Sequence, residues 1–301
     1  MKATVIINPV SGSGLDASRL TAFFRTAADA GIRLRPFETR HPGHARELLS
    51  RSGSEMDVVI AVGGDGTVRE VAEYLAGTGI PLVIWPKGTE NLVARSLGFR
   101  PDPDLLLEAL THGTDRYIDL GRANGRLFMV IAGVGFDAEV VQRLTRQRDG
   151  HITHLSYTAP LWRTFWEHRW PPLIVTGRSP EGPLTWSGPG MVFVGNMARY
   201  ALGLRLARDA VDDDGLLDLV AVGCDGRIAL IGHAIRTLCR KHLEHPTVFN
   251  RKFTWLRVEP ADPAVRVPVQ IDGENAGFLP LDIAIRPGAL RVKVPPNRPG
   301  R

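Results

Sequence analysis

Cysteine is scarce in this chain of 301 residues, which contains only Cys224 and Cys239. Two cysteines offer no disulfide framework, so the sequence excludes the small disulfide-stabilised class and favours a reducing compartment. No stretch approaches the ~18 consecutive apolar residues of a membrane-spanning helix. The segment 1–8 reaches a turn after too few apolar residues for a signal peptide. We therefore expect a cytoplasmic protein whose membrane contact is peripheral, at the inner face of the membrane.

Several familiar motifs are absent as well. No Walker A motif exists, because Lys87 precedes Gly88 whereas that motif needs the lysine after the glycine. The histidines show no zinc spacing with each other or with the cysteines. Residues 133–138 match the spacing of a dinucleotide fingerprint, but no acidic residue follows about 20 positions on. These observations remove the best-known nucleotide and zinc signatures.

The composition is that of a globular protein, with 44% hydrophobic and 23% charged residues. Its length suits one large domain or two medium ones, and we expect two. The 37 Lys and Arg residues exceed the 32 Asp and Glu residues, which gives a net charge of +5. This excess suits an anionic ligand or an acidic membrane surface, and it is too diffuse to predict nucleic-acid binding.

The order of the apolar segments predicts two kinds of domain. Strands alternate with helices up to about residue 113, which predicts a parallel sheet covered on both faces. The predicted strands there are 3–8, 32–39, 58–62 and 81–85, and the predicted helices are 16–30, 44–51, one after residue 66, one from residue 91 and one ending at 111. The second half is mostly β and predicts a sandwich or barrel. Its predicted strands are 117–120, 127–132, 173–176, 191–196, 217–222, 253–259 and 267–271.

Residues 58–75 give the strongest local signal. A β-branched run ends in glycines and an amphipathic pattern starts at once, which predicts a strand, a tight turn and a helix. The glycines allow an anion to approach the backbone, and the free N–H groups of the helix start attract it. Asp65 lies inside this turn, which suits a Mg²⁺ ion between its carboxylate and a phosphate. A plainer interpretation also holds, because residues 67–70 form a capping box of an ordinary helix start.

Residues 151–170 differ from the rest of the β-rich half. Leu155, Ala159, Trp162 and Trp166 recur at helical spacing. The arginines before and among them are Arg143, Arg146, Arg148, Arg163 and Arg169. One interpretation is a helix that caps the β domain with its aromatic residues in the core. The other is a lipid-facing helix with tryptophan at the interface and arginine near anionic headgroups.

Two acidic stretches complete the pattern. Residues 272–274, Asp-Gly-Glu, predict a hairpin turn. Residues 212–218 also predict a turn, whose carboxylates would repel one another unless they were solvated or bound to a metal. The spacing of these carboxylates is not that of an EF-hand.

Six sites follow one another in order along the chain: Asn8-Pro9-Val10-Ser11-Gly12, Thr39, Gly63-Gly64-Asp65-Gly66-Thr67, Lys87-Gly88-Thr89-Glu90-Asn91, Asp214-Gly215-Leu216-Leu217-Asp218 and Asp272-Gly273-Glu274. Taken together, they resemble the diacylglycerol kinase catalytic-domain family, which includes bacterial lipid kinases, sphingosine kinases and ceramide kinase. The resemblance implies a three-layer α/β domain similar to those of NAD kinases and phosphofructokinases, over residues 1–118. It implies a β-sandwich lipid-substrate domain over 119–294, whose last strands could return to the first domain. Residues 295–301 are predicted to form a disordered tail.

The resemblance also implies an activity, the transfer of the γ-phosphoryl group of ATP to a lipid hydroxyl with Mg²⁺, as in phospholipid biosynthesis. The implied nucleotide-binding residues are Asn8, Pro9, Ser11, Gly12, Thr39, Gly63, Gly64, Asp65, Gly66, Thr67, Val68, Arg69 and Thr89. Glu274 matches the general base, and Asp65 and Asp119 match acidic residues near the catalytic Mg²⁺. A structural Mg²⁺ site would use the carbonyl groups of Val211 and Leu216 and the side chain of Asp214.

One position departs from the family pattern. Many bacterial members carry Gly-Thr-x-Asn-Asp, whereas this chain has Leu92 in the final position and so lacks that carboxylate. Two alternatives to a lipid kinase therefore stay open: a nucleotide-sensing and lipid-binding module without turnover, and a kinase of a soluble acceptor, similar to NAD kinases. The oligomeric state is also open, since either strand-rich domain could form a homodimer through a sheet edge.

Overall fold

The computed structural model of the chain describes residues 1–12, 17–53, 56–146, 154–200 and 203–296. The chain divides into two units, the first formed by Met1–Ile118 with Gly288–Arg301 and the second by Asp119–Pro287. Among the described residues, no helix is both long enough and apolar enough to cross a membrane.

The first unit is an α/β domain. Its elements are β1 (Lys2–Ile7), α1 (Ala17–Asp29), β2 (Arg33–Glu38), α2 (His44–Arg51), β3 (Val58–Gly63), α3 (Asp65–Leu75), β4 (Leu82–Pro86), α4 (Leu92–Ser96), α5 (Pro103–His112), the start of β5 (Thr114–Ala123) and the end of β15 (Leu281–Val294). The strands β2, β1, β3 and β4 are neighbours in that order and all run parallel. Every residue of β3 and β4 is buried, so both faces of the sheet are covered as predicted.

Two helices of this unit differ from the prediction. Residue 16, the predicted start of the first helix, lies outside the described residues, and α1 begins at Ala17. The helix predicted from Asn91 is only five residues long. Asn91 has a left-handed backbone with φ of 48°, so it precedes the helix as its N-cap.

The second unit is a β sandwich with helices attached. Its elements are β6 (Arg126–Phe128), β7 (Ile131–Val134), α6 (Phe136–Arg146), a 3₁₀ turn (His154–Tyr157), α7 (Thr158–Glu167), β8 (Pro172–Ser179), β9 (Gly182–Gly195), β10 (Leu217–Gly223), α8 (Arg227–Leu238), a 3₁₀ turn (His242–Glu244), β11 (Val248–Phe253), β12 (Trp255–Pro260), β13 (Pro268–Ile271) and β14 (Glu274–Phe278), with the rest of β5 and β15. The predicted fold class, an α/β domain followed by a β sandwich, is confirmed.

Both sheets of the sandwich share strand β9. Residues 182–189 pair with β8, which continues through β12 to β15. Residues 190–195 pair with β10, and residues 192–195 also pair with β7 on the other side, in a sheet that also holds β11, β13 and β14. The inner faces meet in one apolar core that includes Phe128, Phe253 and Leu256.

Two strands predicted as continuous are each divided in the structure. The predicted strand 127–132 breaks after Phe128, because the N–H groups of Met129 and Val130 donate to the Asp272 carboxylate and the Met129 carbonyl oxygen accepts from the Asn196 side chain. The predicted strand 253–259 breaks at Thr254, where the chain passes from β11 in one sheet to β12 in the other.

Helices α6 and α8 were not predicted. Gly135, with φ of 96°, turns the chain from β7 into α6, which buries Phe136, Val140 and Leu144. Helix α8 instead exposes large aliphatic residues, with Ile228 88% exposed and Leu238 70% exposed. Its exposed apolar residues recur at helical spacing, so the sequence did contain a helix pattern here that the prediction had not used; these residues are Ile228, Ile231, Ile235 and Leu238.

Helix α7 buries Pro160 and Thr164, while Trp162 is 65% exposed and Trp166 is 48% exposed. The interpretation that places these two aromatic side chains in the core is therefore wrong. Trp170, beyond the helix, is buried against Phe136, with the ring centroids 5.9 Å apart. Residue 148 and the predicted tail from residue 297 onward lie outside the described residues.

Candidate functional site

Three loops of the first unit meet at the carboxyl edge of its parallel strands, namely 8–12 after β1, 63–66 after β3 and 87–91 after β4. Glycines allow this approach. A Cβ atom at Gly12 would overlap the carbonyl oxygen of Lys87, and one at Gly88 would lie 2.7 Å from the Cα atom of Gly64. Because these contacts join backbone to backbone, any side chain at Gly12 or Gly88 would force the loops apart.

Helix α3 begins in the middle of this cluster with Gly64 as its N-cap, and no side chain caps it. The N–H group of Val68 donates to the Gly64 carbonyl oxygen at 3.1 Å. The amides before it, at residues 65–67, therefore have no acceptor within the helix. Such amides, together with the helix dipole, bind phosphate.

The alternative interpretation of residues 67–70 as a capping box is wrong, because Thr67 is the third residue of the helix and not its N-cap. The hydroxyl oxygen of Thr67 instead accepts a hydrogen bond from the Asn8 side-chain amide at 3.0 Å. The side-chain oxygen of Asn8 accepts from the Val10 N–H group at 3.1 Å. Asn8 thus joins the first loop to the start of α3.

The Asp65 carboxylate lies at the start of a second helix. Its Oδ2 accepts the N–H group of Leu92 at 3.0 Å and its Oδ1 accepts that of Val93 at 3.1 Å. Burial raises the pKa of Asp65 above its ordinary value, and the two amide hydrogen bonds partly oppose this shift. Each carboxylate oxygen keeps a further acceptor site, so Asp65 fits the Mg²⁺ ion that the resemblance implies.

The loop after β4 is fixed by two residues that the sequence analysis had not assigned. The Lys87 ammonium donates to the carbonyl oxygen of Pro9 at 3.0 Å, and burial lowers the pKa of Lys87. The Asn91 side chain exchanges two hydrogen bonds of 2.7 Å with the backbone of Gly88. In the sequence, these two residues stood out by their position after a predicted strand and in a segment that carries the family resemblance, but neither signal indicated this role.

The remaining predicted nucleotide residues differ in accessibility. Pro9 and Thr89 are exposed, and Ser11, Gly12 and Thr39 are half-buried at the same edge. Val68 is 2% exposed and Arg69 is 8% exposed, and Arg69 is ion-paired with Glu73 at 2.9 Å. The side chains of Val68 and Arg69 are therefore buried, and their assignment to the nucleotide stays a prediction.

Two histidines of this unit, His41 and His44, lie with Glu47 so that one ligand atom from each falls within 4.8 Å of the others. The sequence analysis had found no zinc spacing among histidines, because it compared them only with one another and with cysteine. The His44 Nδ1 atom already accepts the Arg40 N–H group at 3.0 Å.

The predicted hairpin turn at residues 272–274 of the second unit is confirmed. Asp272 and Gly273 have φ of 47° and 77°, as a two-residue turn between β13 and β14 requires. The Asp272 carboxylate accepts three N–H groups, from Met129 at 2.9 Å and from Val130 and Ile131 at 3.0 Å. This turn is therefore anchored to the segment between β6 and β7.

Glu274, the predicted general base, is the first residue of β14. Its Oε2 atom is 3.1 Å from Nη2 of Arg126, and the side chains are 45% and 39% exposed. A carboxylate with this exposure can receive a proton from a bound hydroxyl group. The sequence analysis missed Arg126, because nothing in the sequence relates it to a residue 148 positions away.

A buried network supports the same hairpin. The Tyr200 hydroxyl donates to Asp137 at 2.6 Å, and the Gln270 side chain donates to the other Asp137 oxygen at 2.9 Å. Gln270 in turn accepts the Gly273 N–H group at 2.8 Å. Burial raises the pKa of Asp137, and the bonds from Tyr200 and Gln270 partly oppose the shift. Asp137 belongs to the segment that had been set aside as a false dinucleotide motif, and the antiparallel neighbours of β7 support that exclusion.

Asp119, predicted near the catalytic Mg²⁺, is buried in the second unit. Its Oδ2 atom accepts the Gly215 N–H group at 2.7 Å, and its own N–H group donates to the Asp212 carbonyl oxygen at 2.7 Å. Asp119 thus fixes the predicted turn at 212–218.

The predicted structural Mg²⁺ site lies in that turn. The Asp214 Oδ1 atom accepts the Leu216 N–H group at 3.0 Å, and its Oδ2 atom accepts the Lys252 ammonium at 2.8 Å. Lys252 also donates to Asp218 at 3.0 Å. Oxygen donors suit Mg²⁺, and the Lys252 ammonium already places a positive charge beside the Asp214 carboxylate. The assignment of Val211, Asp214 and Leu216 stays a prediction.

Comparison with known protein families gives two consecutive matches. Residues 2–123 match the diacylglycerol kinase catalytic domain. Residues 130–294 match the family described as the YegS C-terminal NAD kinase beta sandwich-like domain.

Individual proteins match over nearly their whole length. A Pseudomonas aeruginosa (strain UCBPP-PA14) protein named "Probable lipid kinase YegS-like" is 32% identical over 282 residues, 90% of this chain and 88% of that protein. A diacylglycerol kinase of Mycobacterium tuberculosis (strain H37Rv) is 30% identical over 303 residues, 98% of this chain and 95% of that protein. The crystal structure of a diacylglycerol kinase from Bacillus anthracis (strain Sterne) is 25% identical, with a TM-score of 0.74 and coverage of 98% of this chain and 97% of that one. The chain therefore belongs to the diacylglycerol kinase catalytic-domain family, with a YegS-type C-terminal β sandwich.

Proposed function

We propose that this protein is a lipid kinase that transfers the γ-phosphoryl group of ATP, with Mg²⁺, to the hydroxyl group of diacylglycerol or a related lipid. Family membership and the names of the relatives support a lipid kinase. The observation that carries the proposal is the contact of Gly12 and Gly88 with neighbouring loops around the uncapped start of α3. A phosphate chain is the ligand that such a backbone surface fits.

Phosphoryl transfer requires cradled phosphates, neutralised charge and a base for the accepting hydroxyl, with little covalent work for the protein. The amides of residues 65–67 would bind the phosphates. The Asp65 carboxylate would hold Mg²⁺, which when bound neutralises charge on the transferring group. Glu274 would accept the hydroxyl proton, and Arg126, ion-paired with it at 3.1 Å, would orient its carboxylate.

The second unit presents an apolar surface that suits peripheral membrane contact. The exposed apolar residues of α7 and α8 are Leu161, Trp162, Trp166, Ile228, Ile231, Ile235 and Leu238. Arg227 links the two helices, since its Nε donates to the Phe165 carbonyl oxygen at 3.1 Å and its guanidinium lies 4.8 Å from the Trp166 ring centroid. We infer that α7 and α8 together lie in the headgroup region of a bilayer, with their aliphatic and indole side chains inserted.

The experiment is a phosphate-transfer assay with labelled ATP, Mg²⁺ and a panel of diacylglycerol, sphingoid and prenol lipids. Glu274→Gln should lower kcat by about 100-fold or more, since a positioned base contributes that much. Glu181→Gln, on a side chain 81% exposed in the same unit, is the matched control and should leave the rate unchanged. Calorimetry with ATP should give the same affinity for all three proteins.

Three outcomes would contradict parts of this proposal. A Glu274→Gln rate equal to that of the wild type would exclude the assigned base. Binding of ATP and lipid without any product would indicate a binding module. Phosphate transfer only to a soluble acceptor would indicate a kinase similar to NAD kinases.

A further inference from the structure

A cavity of about 830 Å³ lies within the second unit, between α6, α7 and the chain segment 265–278. The charged residues that line it are Arg143, Arg146, Arg163, Arg169, Arg266, Glu139 and Glu167. We call it the arginine cavity. Five guanidinium groups against two carboxylates leave an excess of positive charge, and none of the residues proposed for phosphoryl transfer lines it.

Both carboxylates of the arginine cavity are already engaged. Arg143 donates to Glu139 at 2.6 Å and to Glu167 at 2.6 Å, which joins α6 to α7. The other Glu139 oxygen is 2.6 Å from Nδ1 of His168. Burial alone would raise the pKa of Glu139, but its bonds with His168 and Arg143 lower it, so this carboxylate stays ionised. These contacts fix one wall of the cavity and pair both of its carboxylates with basic side chains.

The positive charges of the other arginines that line the cavity are not balanced by carboxylates of the described residues. Within the described parts of the chain, Arg146, Arg163 and Arg169 form no ion pair. The Arg266 guanidinium lies 3.9 Å from the Phe278 ring centroid, which orients it without neutralising it. Clustered guanidinium groups repel one another, and an anion that takes bidentate hydrogen bonds relieves this repulsion.

A buried histidine forms part of the wall of the cavity. His168 is 8% exposed and lies edge-on to Phe136 and Trp170, with ring centroids 5.6 Å and 4.7 Å away. Its Nε2 atom is buried and, among the described residues, has no hydrogen-bond partner. The contact of its Nδ1 atom with Glu139 fixes the ring in the wall, so the guanidinium groups provide the contacts for a ligand.

We propose that the arginine cavity binds a phosphate group, carried by the headgroup of an anionic phospholipid or supplied as a free phosphate ion. Its volume is within the ~300–1,000 Å³ range of small-molecule sites. Arg163 and Glu167 belong to α7, the same helix that exposes Trp162 and Trp166. A headgroup in the cavity would thus be held by the helix proposed to lie in the membrane surface. The binding site is separate from the phosphoryl-transfer residues and does not require turnover.

The test measures binding in two arms. Isothermal calorimetry with inorganic phosphate probes the free ion, and flotation with phosphatidylcholine vesicles with or without phosphatidic acid probes the headgroup. The variant Arg163→Gln/Arg169→Gln should lose at least about tenfold in affinity, roughly one bidentate contact. The variant Arg163→Lys/Arg169→Lys keeps the positive charge but loses the two parallel N–H donors of each guanidinium group, so its loss of affinity should be smaller.

The matched control, Arg122→Gln/Arg286→Gln, removes the same charge from exposed strand positions in the same unit and should bind as the wild type. Loss in the vesicle arm alone identifies the headgroup as the source, and loss in the calorimetric arm alone identifies the free ion. No phosphate binding by the wild type in either arm, or equal loss in the control variant, would overturn the proposal. Glu274→Gln must retain this binding, so failure of the kinase assay and failure of phosphate binding are distinguishable.

Discussion

The Oδ2 atom of Asp65 accepts a hydrogen bond from the main-chain N–H group of Leu92 at 3.0 Å. Leu92 is the position that departs from the pattern implied by the family resemblance, yet the contact uses only the backbone, so it does not depend on that side chain. Asp65 therefore both caps α4 and remains available to a cation.

The change Asp65→Asn tests this double role. One amide hydrogen of the asparagine would face the N–H group of Leu92 or Val93, so we expect a loss of about 1 kcal/mol of unfolding free energy from the damaged cap. Mg²⁺-ATP affinity should also fall, because the charge is removed. Calorimetry and thermal denaturation measure the two effects, with Asp29→Asn at the exposed end of α1 as control. Unchanged Mg²⁺-ATP affinity would exclude Asp65 as a metal ligand.

The change Gly88→Ala tests the packing of the three loops. The new Cβ atom would lie 2.7 Å from the Gly64 Cα atom, so we expect a loss of about 1–3 kcal/mol in stability and a loss of ATP binding. Gly226→Ala is the matched control, because nothing lies within 4 Å of its Cβ position and its backbone is extended. Equal ATP affinity in both variants would show that the close approach is not required.

Part of this site could be predicted from the sequence and part could not. The strand, glycine turn and helix at residues 58–75 were predictable, because their pattern is local and each step has a local cause. Arg126 and the Asp137–Gln270 pair were not, since they meet Glu274 and its turn only after distant strands have paired. The Lys252 ammonium beside Asp214 depends on the pairing of β10 with β11 in the same way. Helix α8 was not predicted, although its apolar residues recur at helical spacing; their exposure depends on how the rest of the unit packs and could not be predicted from that spacing.

The change Lys252→Met tests whether the ammonium replaces a cation in the 212–218 turn. Its removal leaves Asp214 and Asp218 to repel each other, so we expect a loss of about 1 kcal/mol without Mg²⁺. Millimolar Mg²⁺ should then raise the Tm of this variant more than that of the wild type, because an ion that binds only the folded state stabilises it. Lys241→Met, at an exposed site, should respond to Mg²⁺ like the wild type. If Mg²⁺ changed the Tm of the wild type and of both variants equally, the idea that the Lys252 ammonium takes the place of a metal ion would be contradicted.

A pH dependence is expected from Asp115 and Arg291 in the first unit, whose side chains form an ion pair of 2.5 Å. The hydrogen bond from Arg291 holds the pKa of Asp115 below its ordinary value of 3.8. The pair's contribution is thus present above pH 3.8 and is lost as the pH falls through the lower, folded-state pKa. Arg291→Met should lose about 0.5–1 kcal/mol at pH 7, and less in acid.

Denaturant unfolding at pH 7 and at pH 3 measures this difference. Arg286→Met, at an exposed position of the same strand, serves as the control and should show no pH-dependent change. A stability loss for Arg291→Met that is the same at both pH values would refute the electrostatic origin.

Membrane contact through α7 and α8 predicts that Trp162→Ala/Ile228→Ser lowers the fraction of protein that floats with phosphatidylcholine–phosphatidylglycerol vesicles. The loss of two inserted side chains should weaken partitioning by about tenfold or more. Ile174→Ser, on an exposed residue of β8, should have no effect. Flotation of the double variant equal to that of the wild type would exclude this surface.

Strand β9 pairs with β8 over residues 182–189 and with β10 over residues 190–195. The chain between β11 and β12 likewise passes from one sheet to the other at Thr254. Two continuous stretches of backbone therefore belong to both sheets of the sandwich. We expect the two sheets to unfold together, so hydrogen–deuterium exchange should replace the central amide protons of both sheets at one common, slow rate.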